Sequence, residues 1–189
     1  MKPMRTERLT LRNWEDRDRG LFHRINSDDR VMEFFPFRRD RKQADAFLDV
    51  IRSEIADAGY GFCAVEIAAT GECIGFTGIV EAEISPPFPK DMVEIGWRLA
   101  PEFWGKGYVT EAAAAWLDFG FETLTLDEIV SFAVASNTRS TAVMQRLGMR
   151  RDPASDFDHP KVPPTHPHLM RHSFYRLSRD QWAKKKAAQ

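Results

Sequence analysis

Only two cysteines, Cys63 and Cys73, occur in the 189 residues, and they show neither CxxC spacing nor a grouping with histidine. That is too few for a disulfide framework and fits no zinc-site pattern, so a reducing cytoplasm is the expected setting. Charge of one sign is lacking as well. Against 27 basic side chains stand 28 acidic ones, and the formal charge of −1 selects neither nucleic acid nor an acidic membrane as partner. No run approaches the roughly 18 apolar residues of a membrane span. Met1 to Arg12 is charged throughout, without the apolar core of a secretion signal, so the chain is expected to be neither exported nor inserted. Internal repeats and linker-like stretches are missing too.

What is present is the balance of a soluble globular protein, 43% apolar and 29% charged, at a length that one domain spanning residues 1–189 can fill. Local basic clusters at Arg38, Arg39, Arg41 and Lys42 and at Lys184 to Lys186 each read as a solvated face or tail.

Leu9 and Leu11 alternate with polar neighbours between Thr6 and Trp14, which predicts a strand, and Asp16 offers a cap to a short helix carrying Leu21, Phe22 and Ile25. From Asp40 the positions Ala44, Phe47, Leu48, Ile51 and Ile55 recur at helical spacing, with Gly59 as the stop. Strand-like runs over Phe62 to Ala68 and Cys73 to Ile84 flank the short turn Thr70-Gly71-Glu72, so antiparallel pairing is expected. Pro86, Pro87 and Pro89 make Ser85 to Asp91 a loop before a strand at Met92 to Leu99. A glycine loop, a helix over about Thr110 to Thr123 and a strand over Glu128 to Ala135 complete a strand-helix-strand crossover that predicts a parallel pair. A helix from about Asn137 to Leu147 ends at Gly148, and two strands, Met149 to Phe157 and Leu169 to Leu177, follow around a Pro/His-rich loop. The expected fold class is α/β: a mixed, mostly antiparallel sheet of about seven strands with four or five helices.

Gly105-Lys106-Gly107 lies directly after a strand and directly before a helix. Glycines there let the backbone approach a ligand closely, and the unpaired N–H groups and dipole of the first helical turn favour an anion, to which Lys106 adds a charge. A Walker A loop is excluded, since no glycine stands five residues before Gly105 and Gly107 replaces the Ser or Thr after Lys106. A GxGxxG fingerprint is excluded because Thr110 takes the third glycine's place. A tight turn without a ligand stays open.

The wider context carries a resemblance. Val93-Glu94-Ile95-Gly96-Trp97 followed by Pro101-Glu102-Phe103-Trp104-Gly105-Lys106-Gly107-Tyr108-Val109-Thr110-Glu111-Ala112 resembles the acetyl-CoA segment of GNAT acetyltransferases. It is most similar to the branch typified by the ribosomal-protein N-terminal acetyltransferases RimJ and RimL. Asn137-Thr138-Arg139-Ser140 through Arg146-Leu147-Gly148-Met149 is similar to a second block of that branch, and Arg5 to Arg12 to its opening. One departure is Glu102, where the general pattern begins with Gln or Arg.

The resemblance implies a GNAT fold with a splayed parallel pair, acetyl-CoA as co-substrate, no metal, and direct acetyl transfer to an amine in a ternary complex. The acceptor would be a small-molecule amine or a protein N-terminus, and the chain a monomer or homodimer. Main chain of Trp104, Gly105, Lys106, Gly107, Tyr108, Val109 and Thr110 is implied to hold the pyrophosphate, and main chain of Trp97, Arg98 and Leu99, with Asn137, the pantetheine arm. Glu94 is the candidate base, with an ordinary strand glutamate as the alternative reading. The tyrosine that protonates the thiolate in many relatives is replaced by Met144. Ser140 matches the serine proposed for that role in this branch, unless it only bonds local backbone. Phe34, Phe35 and Phe37 are implied to line the acceptor pocket, core packing being the alternative, and His159 lies in a rigid loop expected at its mouth. His159, His166, His168 and His172 match no metal-ligand spacing, and His23 reads as helix surface. Two further readings remain: a CoA-binding domain without catalysis, and a larger donor such as succinyl-CoA.

Overall fold

A computed structural model describes residues 1–82, 84 and 88–188. Residues 85–87 of the expected proline loop, and Glu83 at the end of the expected strand, lie outside the described residues. The strands are β1 (Met4–Arg5), β2 (Leu9–Arg12), β3 (Cys63–Ile67), β4 (Cys73–Glu81), β5 (Val93–Leu99), β6 (Glu128–Val134), β7 (Arg150–Arg151), β8 (Phe157–Asp158) and β9 (Arg171–Ser178). The helices are α1 (Arg19–Ser27), α2 (Arg41–Ala58), α3 (Tyr108–Asp118), α4 (Thr138–Arg146) and α5 (Arg179–Ala187). Hydrogen-bonded strand neighbours run β1-β2-β3-β4-β5-β6-β9-β7, with β8 also on β9. β5 and β6 are parallel, bridged at Glu94↔Val130, as the strand-helix-strand reading requires.

Contacts divide the chain into two compact units, Met1–Ile79 with Gly96–Ala115, and Val80–Ile95 with Trp116–Gln189. In the first, α2 is bounded as its sequence predicts: the Asp40 side chain accepts from Gln43 N, Gln43 answers to Asp40 N, and Gly59 closes the helix at φ 81°. Its apolar stripe is buried at Ala44, Leu48, Ile51 and Ile55. α1 departs from expectation. Glu15 caps a short 3₁₀ turn over Asp16–Asp18, and the α-helix starts only at Arg19. The reason is Asp18, which is buried and paired with Arg12 at 2.7 Å, so it belongs to the core of the turn. Glu66 joins Arg12 at 2.8 Å. This pairing lets every residue of β2 be buried, polar Thr10 and Arg12 included, where alternation predicted one solvated face.

In the second unit β9 pairs antiparallel with β6 from Glu128↔Ser178 to Val134↔His172. Phe174, Phe157 and Val130 form an apolar cluster with Ala82 and Ile84, and the ring of Phe88 stacks on Phe174 at 4.9 Å. The strand expected over Met149 to Phe157 is broken into β7 and β8 by a 3₁₀ turn at Pro153–Ser155, because proline cannot donate to the ladder. With that split and the additional short strand β1, the described residues form nine strands where about seven were expected. Lys184 to Lys186 lie on a helix, α5, with Lys184 and Lys186 exposed, a solvated face and not a tail. Ser178 and Gln181 form its capping box, Trp182 Nε1 donates to Asp118 at 2.8 Å, and Lys186 pairs with Asp118 and Glu122 at 2.7 and 2.9 Å. Among the described residues no helix is long and apolar enough to cross a membrane.

Candidate active site

The first unit contains the glycine loop. After β5 the chain makes a 3₁₀ turn at Pro101–Phe103; Phe103 is buried and the Trp104 indole donates to Leu99 O at 2.8 Å. Gly105 and Gly107 then take left-handed conformations, φ 73° and 80°, which side-chain-bearing residues adopt at a cost. No heavy atom outside the adjacent residues lies within 4 Å of where a Cβ on Gly105 would stand, so that face of the loop is open. Gly107 O accepts from Glu111 N at 3.0 Å and begins the ladder of α3. The N–H groups of Tyr108, Val109 and Thr110 fall in the first turn, where no intrahelical acceptor exists.

Residues far away in sequence hold this loop. Glu111 accepts from Arg8 N at 2.8 Å, from Arg8 Nε at 2.6 Å and from the Thr6 hydroxyl at 2.5 Å. Arg8 Nη1 donates to Lys106 O at 3.1 Å, its guanidinium covers the Tyr108 ring at 4.7 Å, and a Cβ on Gly107 would stand 3.3 Å from Nη2. Glu102 forms an ion pair with Arg24. Against some desolvation, its own turn's N–H and Arg24 hold the Glu102 carboxyl below the ordinary glutamate value. Glu111 stands in the segment that resembles the acetyl-CoA motif, and Thr6 and Arg8 in the similar opening, but nothing in the sequence pairs them with each other, and nothing marks Arg24.

Elsewhere in this unit, Gly96 O accepts from the Thr77 hydroxyl at 3.0 Å. A Cβ on Gly75 would come within 2.3 Å of Arg98 O, so the two backbones approach as only glycine permits. The Leu99 carbonyl, occupied by Trp104, is not the free group expected of it; Trp97 and Arg98 are half-buried. Phe34 and Phe35 are half-buried and Phe37 is 41% exposed. The Arg98 guanidinium lies 4.2 Å from the Phe35 centroid, which joins an expected cofactor residue to an expected pocket residue.

The second unit contains Glu94, Asn137, Ser140 and His159. Glu94 has no hydrogen-bond or ion-pair partner among the described residues, and burial lifts its carboxyl from 4.5 to about 8 while part of its surface stays open. One residue on, Ile95 O accepts from the Ser131 hydroxyl at 2.9 Å. Asn137 caps α4, accepting from Ser140 N at 3.1 Å; the Ser140 hydroxyl has no hydrogen-bond partner among the described residues. Met144 is core, 1% exposed. His159 packs its ring 4.8 Å from that of His172, and burial, then His172, pushes its pKa down to about 4, so the ring is neutral at pH 7. It follows β8 directly, so the expected rigid loop is partly strand. Among the described residues no group of three or more His, Cys, Asp or Glu is placed to hold a metal ion.

Residues 8–150 match the family described as the acetyltransferase (GNAT) domain. The chain belongs to the GNAT acetyltransferase family. A Bacillus subtilis relative, the uncharacterized protein YkkB, is 32% identical over 145 residues, covering 76% of this chain and 83% of the relative. An FsC-acetyl coenzyme A-N(2)-transacetylase from Aspergillus fumigatus is 29% identical over 150 residues, 77% of this chain and 64% of that protein. The crystal structure of a GNAT-family acetyltransferase from Bacillus anthracis superposes with a TM-score of 0.78 at 26% identity, covering 94% of this chain and 99% of its own. GNAT acetyltransferases use acetyl-CoA. The open Gly105 face and the first-turn N–H groups of α3, which have no partner among the described residues, suit the donor's pyrophosphate, an anion that main-chain N–H groups can bind without a metal.

Proposed function

We propose that this GNAT acetyltransferase moves the acetyl group of acetyl-CoA to a primary amine by direct attack in a ternary complex. In this reading residues 1–189 act as one catalytic domain, of the RimJ- and RimL-like branch. Main-chain N–H groups from Trp104 to Thr110, with Lys106, bind the pyrophosphate. Main chain of Trp97 and Arg98, and the Asn137 side chain, position the pantetheine arm. Phe34, Phe35, Phe37 and His159 line the acceptor pocket.

Glu94 accepts a proton from the amine, directly or through a water, as nitrogen attacks the thioester carbon. Ser140 gives its hydroxyl proton to sulfur as the carbon–sulfur bond breaks, and recovers one from solvent. The observation that carries the reading is Glu94, a deep carboxyl with no partner among the described residues and a proton affinity near that of a base poised for neutral to alkaline pH. An ordinary strand glutamate would be solvated or paired. The fungal relative's name, an acetyl coenzyme A N(2)-transacetylase, supports nitrogen as the acceptor atom.

The test is release of free CoA in the presence of N-terminal peptides and small amines, with the acetylated product identified by mass. Glu94→Gln is expected to lower kcat/KM by about 10²-fold or more. Acetyl-CoA that raises the melting temperature while no amine elicits CoA release would leave a binding module and sink the proposal.

A further inference from the structure

Two arginines of the first unit share one amide oxygen and have no carboxylate partner among the described residues. Arg98 Nη1 donates to Asn26 Oδ1 at 2.7 Å and Arg39 Nη1 to the same atom at 3.3 Å. Asn26 is fully buried, and its Nδ2 donates to Phe22 O at 2.7 Å, which turns the amide so that its oxygen faces both guanidiniums. The remaining surroundings are aromatic. Arg98 lies over Phe35 at 4.2 Å and Phe76 at 5.3 Å, and Arg39 over Phe47 at 4.2 Å and Phe37 at 4.6 Å.

Rings and one neutral oxygen attract a cation weakly and do not neutralise it. Arg12, by contrast, is buried against both Asp18 and Glu66. The imbalance appears as a pKa for Arg98 pushed down to about 9, by burial first and then by Arg39. A pair of desolvated like charges is retained at a cost that an anion between them would offset. Arg39 and Arg98 are only half-buried, so part of each side chain stays open. The buried side-chain polar atoms that lack a partner among the described residues are Asp45 Oδ1 and Trp116 Nε1, and no arginine nitrogen is among them. Beside Arg39 an open recess of about 280 Å³ is lined by Phe37, Arg38, Arg39 and Gln43.

We infer that Arg39 and Arg98 bind a carboxylate carried by the acceptor amine. The inference rests on the reading of this chain as an amine acetyltransferase. A planar carboxylate matches the guanidinium fork, and the same positive charge disfavours polycationic amines. The donor is not the source of this anion. Its charge lies on phosphates, for which the Gly105–Gly107 loop supplies main-chain N–H groups, and its acetyl end is neutral.

Wild type, Arg39→Gln, Arg98→Gln and Arg98→Lys are first heated with increasing glutarate, against chloride at equal ionic strength. Wild type is expected to show a saturable rise in Tm, lost in both glutamine variants and weakened about ten-fold in Arg98→Lys, which keeps the charge without the fork. No saturable rise, or one that the variants retain, overturns the site. Acceptors are then compared in pairs, each amino acid against its carboxamide. The acid is expected to be preferred about ten-fold or more in kcat/KM, and Arg39→Gln to erase that preference through the KM of the acid. Equal loss on both amines, a rise in the KM for acetyl-CoA, or a preference for succinyl-CoA that Arg39→Gln removes would overturn the assignment to the acceptor. Glutarate binding without CoA release from any amine refutes acetyl transfer and leaves the anion site standing; transfer without glutarate binding refutes the site alone.

Discussion

Replacing Glu94 by glutamine is expected to stabilise the fold at alkaline pH while removing activity. Burial raises the Glu94 carboxyl from 4.5 to about 8, and the unfolded chain restores the lower value. Between those limits the native state holds a proton that the unfolded state has lost. Stability must therefore fall as pH rises from about 4.5 to about 8, and change no further on this account above it. At about 1.4 kcal/mol per pH unit the full interval amounts to about 5 kcal/mol, of which about 3 kcal/mol is already lost at pH 7. Glutamine has nearly the same shape and does not titrate. Subtracting its stability curve from that of the wild type cancels the other titrating groups, provided they are not coupled to position 94. Urea unfolding at about pH 5, 7 and 9 should show Glu94→Gln gaining on the wild type, relative to pH 5, by about 3 and then about 4 kcal/mol. Over the same range wild-type kcat/KM should rise through about pH 8, since only the carboxylate form accepts a proton. Two stability curves that stay parallel from about pH 5 to 9 would refute the reasoning, whatever happens to activity.

Arg8→Met removes the tie from Lys106 O to Glu111 and should raise the KM for acetyl-CoA about three- to ten-fold, roughly 0.7–1.4 kcal/mol, with kcat nearly constant; an unchanged KM in steady-state assays would mean that the loop holds itself. Gly105→Ala imposes a strained left-handed alanine, about 1–2 kcal/mol, and places a methyl group on the open face, so its loss of acetyl-CoA affinity by calorimetry should exceed its loss in urea stability. Ser140→Ala leaves the Asn137 cap intact, because the cap uses the Ser140 main-chain N–H, yet should lower kcat about ten-fold or more; full turnover at saturating acetyl-CoA would remove the hydroxyl from the mechanism. Arg24→Met exposes the Glu102 carboxylate and should weaken acetyl-CoA about two- to three-fold at low salt, an effect that added salt and the second change Glu102→Gln should each abolish.

The parts of the fold that could be read in advance are those whose reasons are local. Asp40, Gln43 and Gly59 bracket α2 within its own sequence, and the succession of alternating strand, glycine turn and apolar helix stripe spells β5, α3 and β6. α5 could not be read this way. Arg179–Ala187 contains one large apolar residue, Trp182, and depends on Asp118 and Glu122, which the chain brings near only by folding. The burial of Arg12 was hidden for the same reason, since its partner Glu66 is 54 residues away. At the site, the glycine loop was legible as a motif. Its fastening to Arg8 crosses 98 residues, and the meeting of Arg98 with Asn26 crosses 72, with no periodicity to announce either.

Those long-range partners change the meaning of the one residue that departs from the family pattern. A glutamate at position 102 would bring negative charge to the loop proposed to receive a pyrophosphate, and in isolation it argues against binding. Arg24 cancels that charge within the same unit, and the carboxylate stays ionised and engaged, below its ordinary pKa. Attraction for the donor is then left to groups that the substitution does not touch. These are the first-turn N–H groups of α3, the Lys106 ammonium, and two glycines already in the left-handed conformation the loop requires. Because Arg8 and Glu111 fix that conformation before any ligand arrives, little ordering remains for the donor to drive, and affinity can rest on main chain that side-chain changes such as Glu102 leave in place.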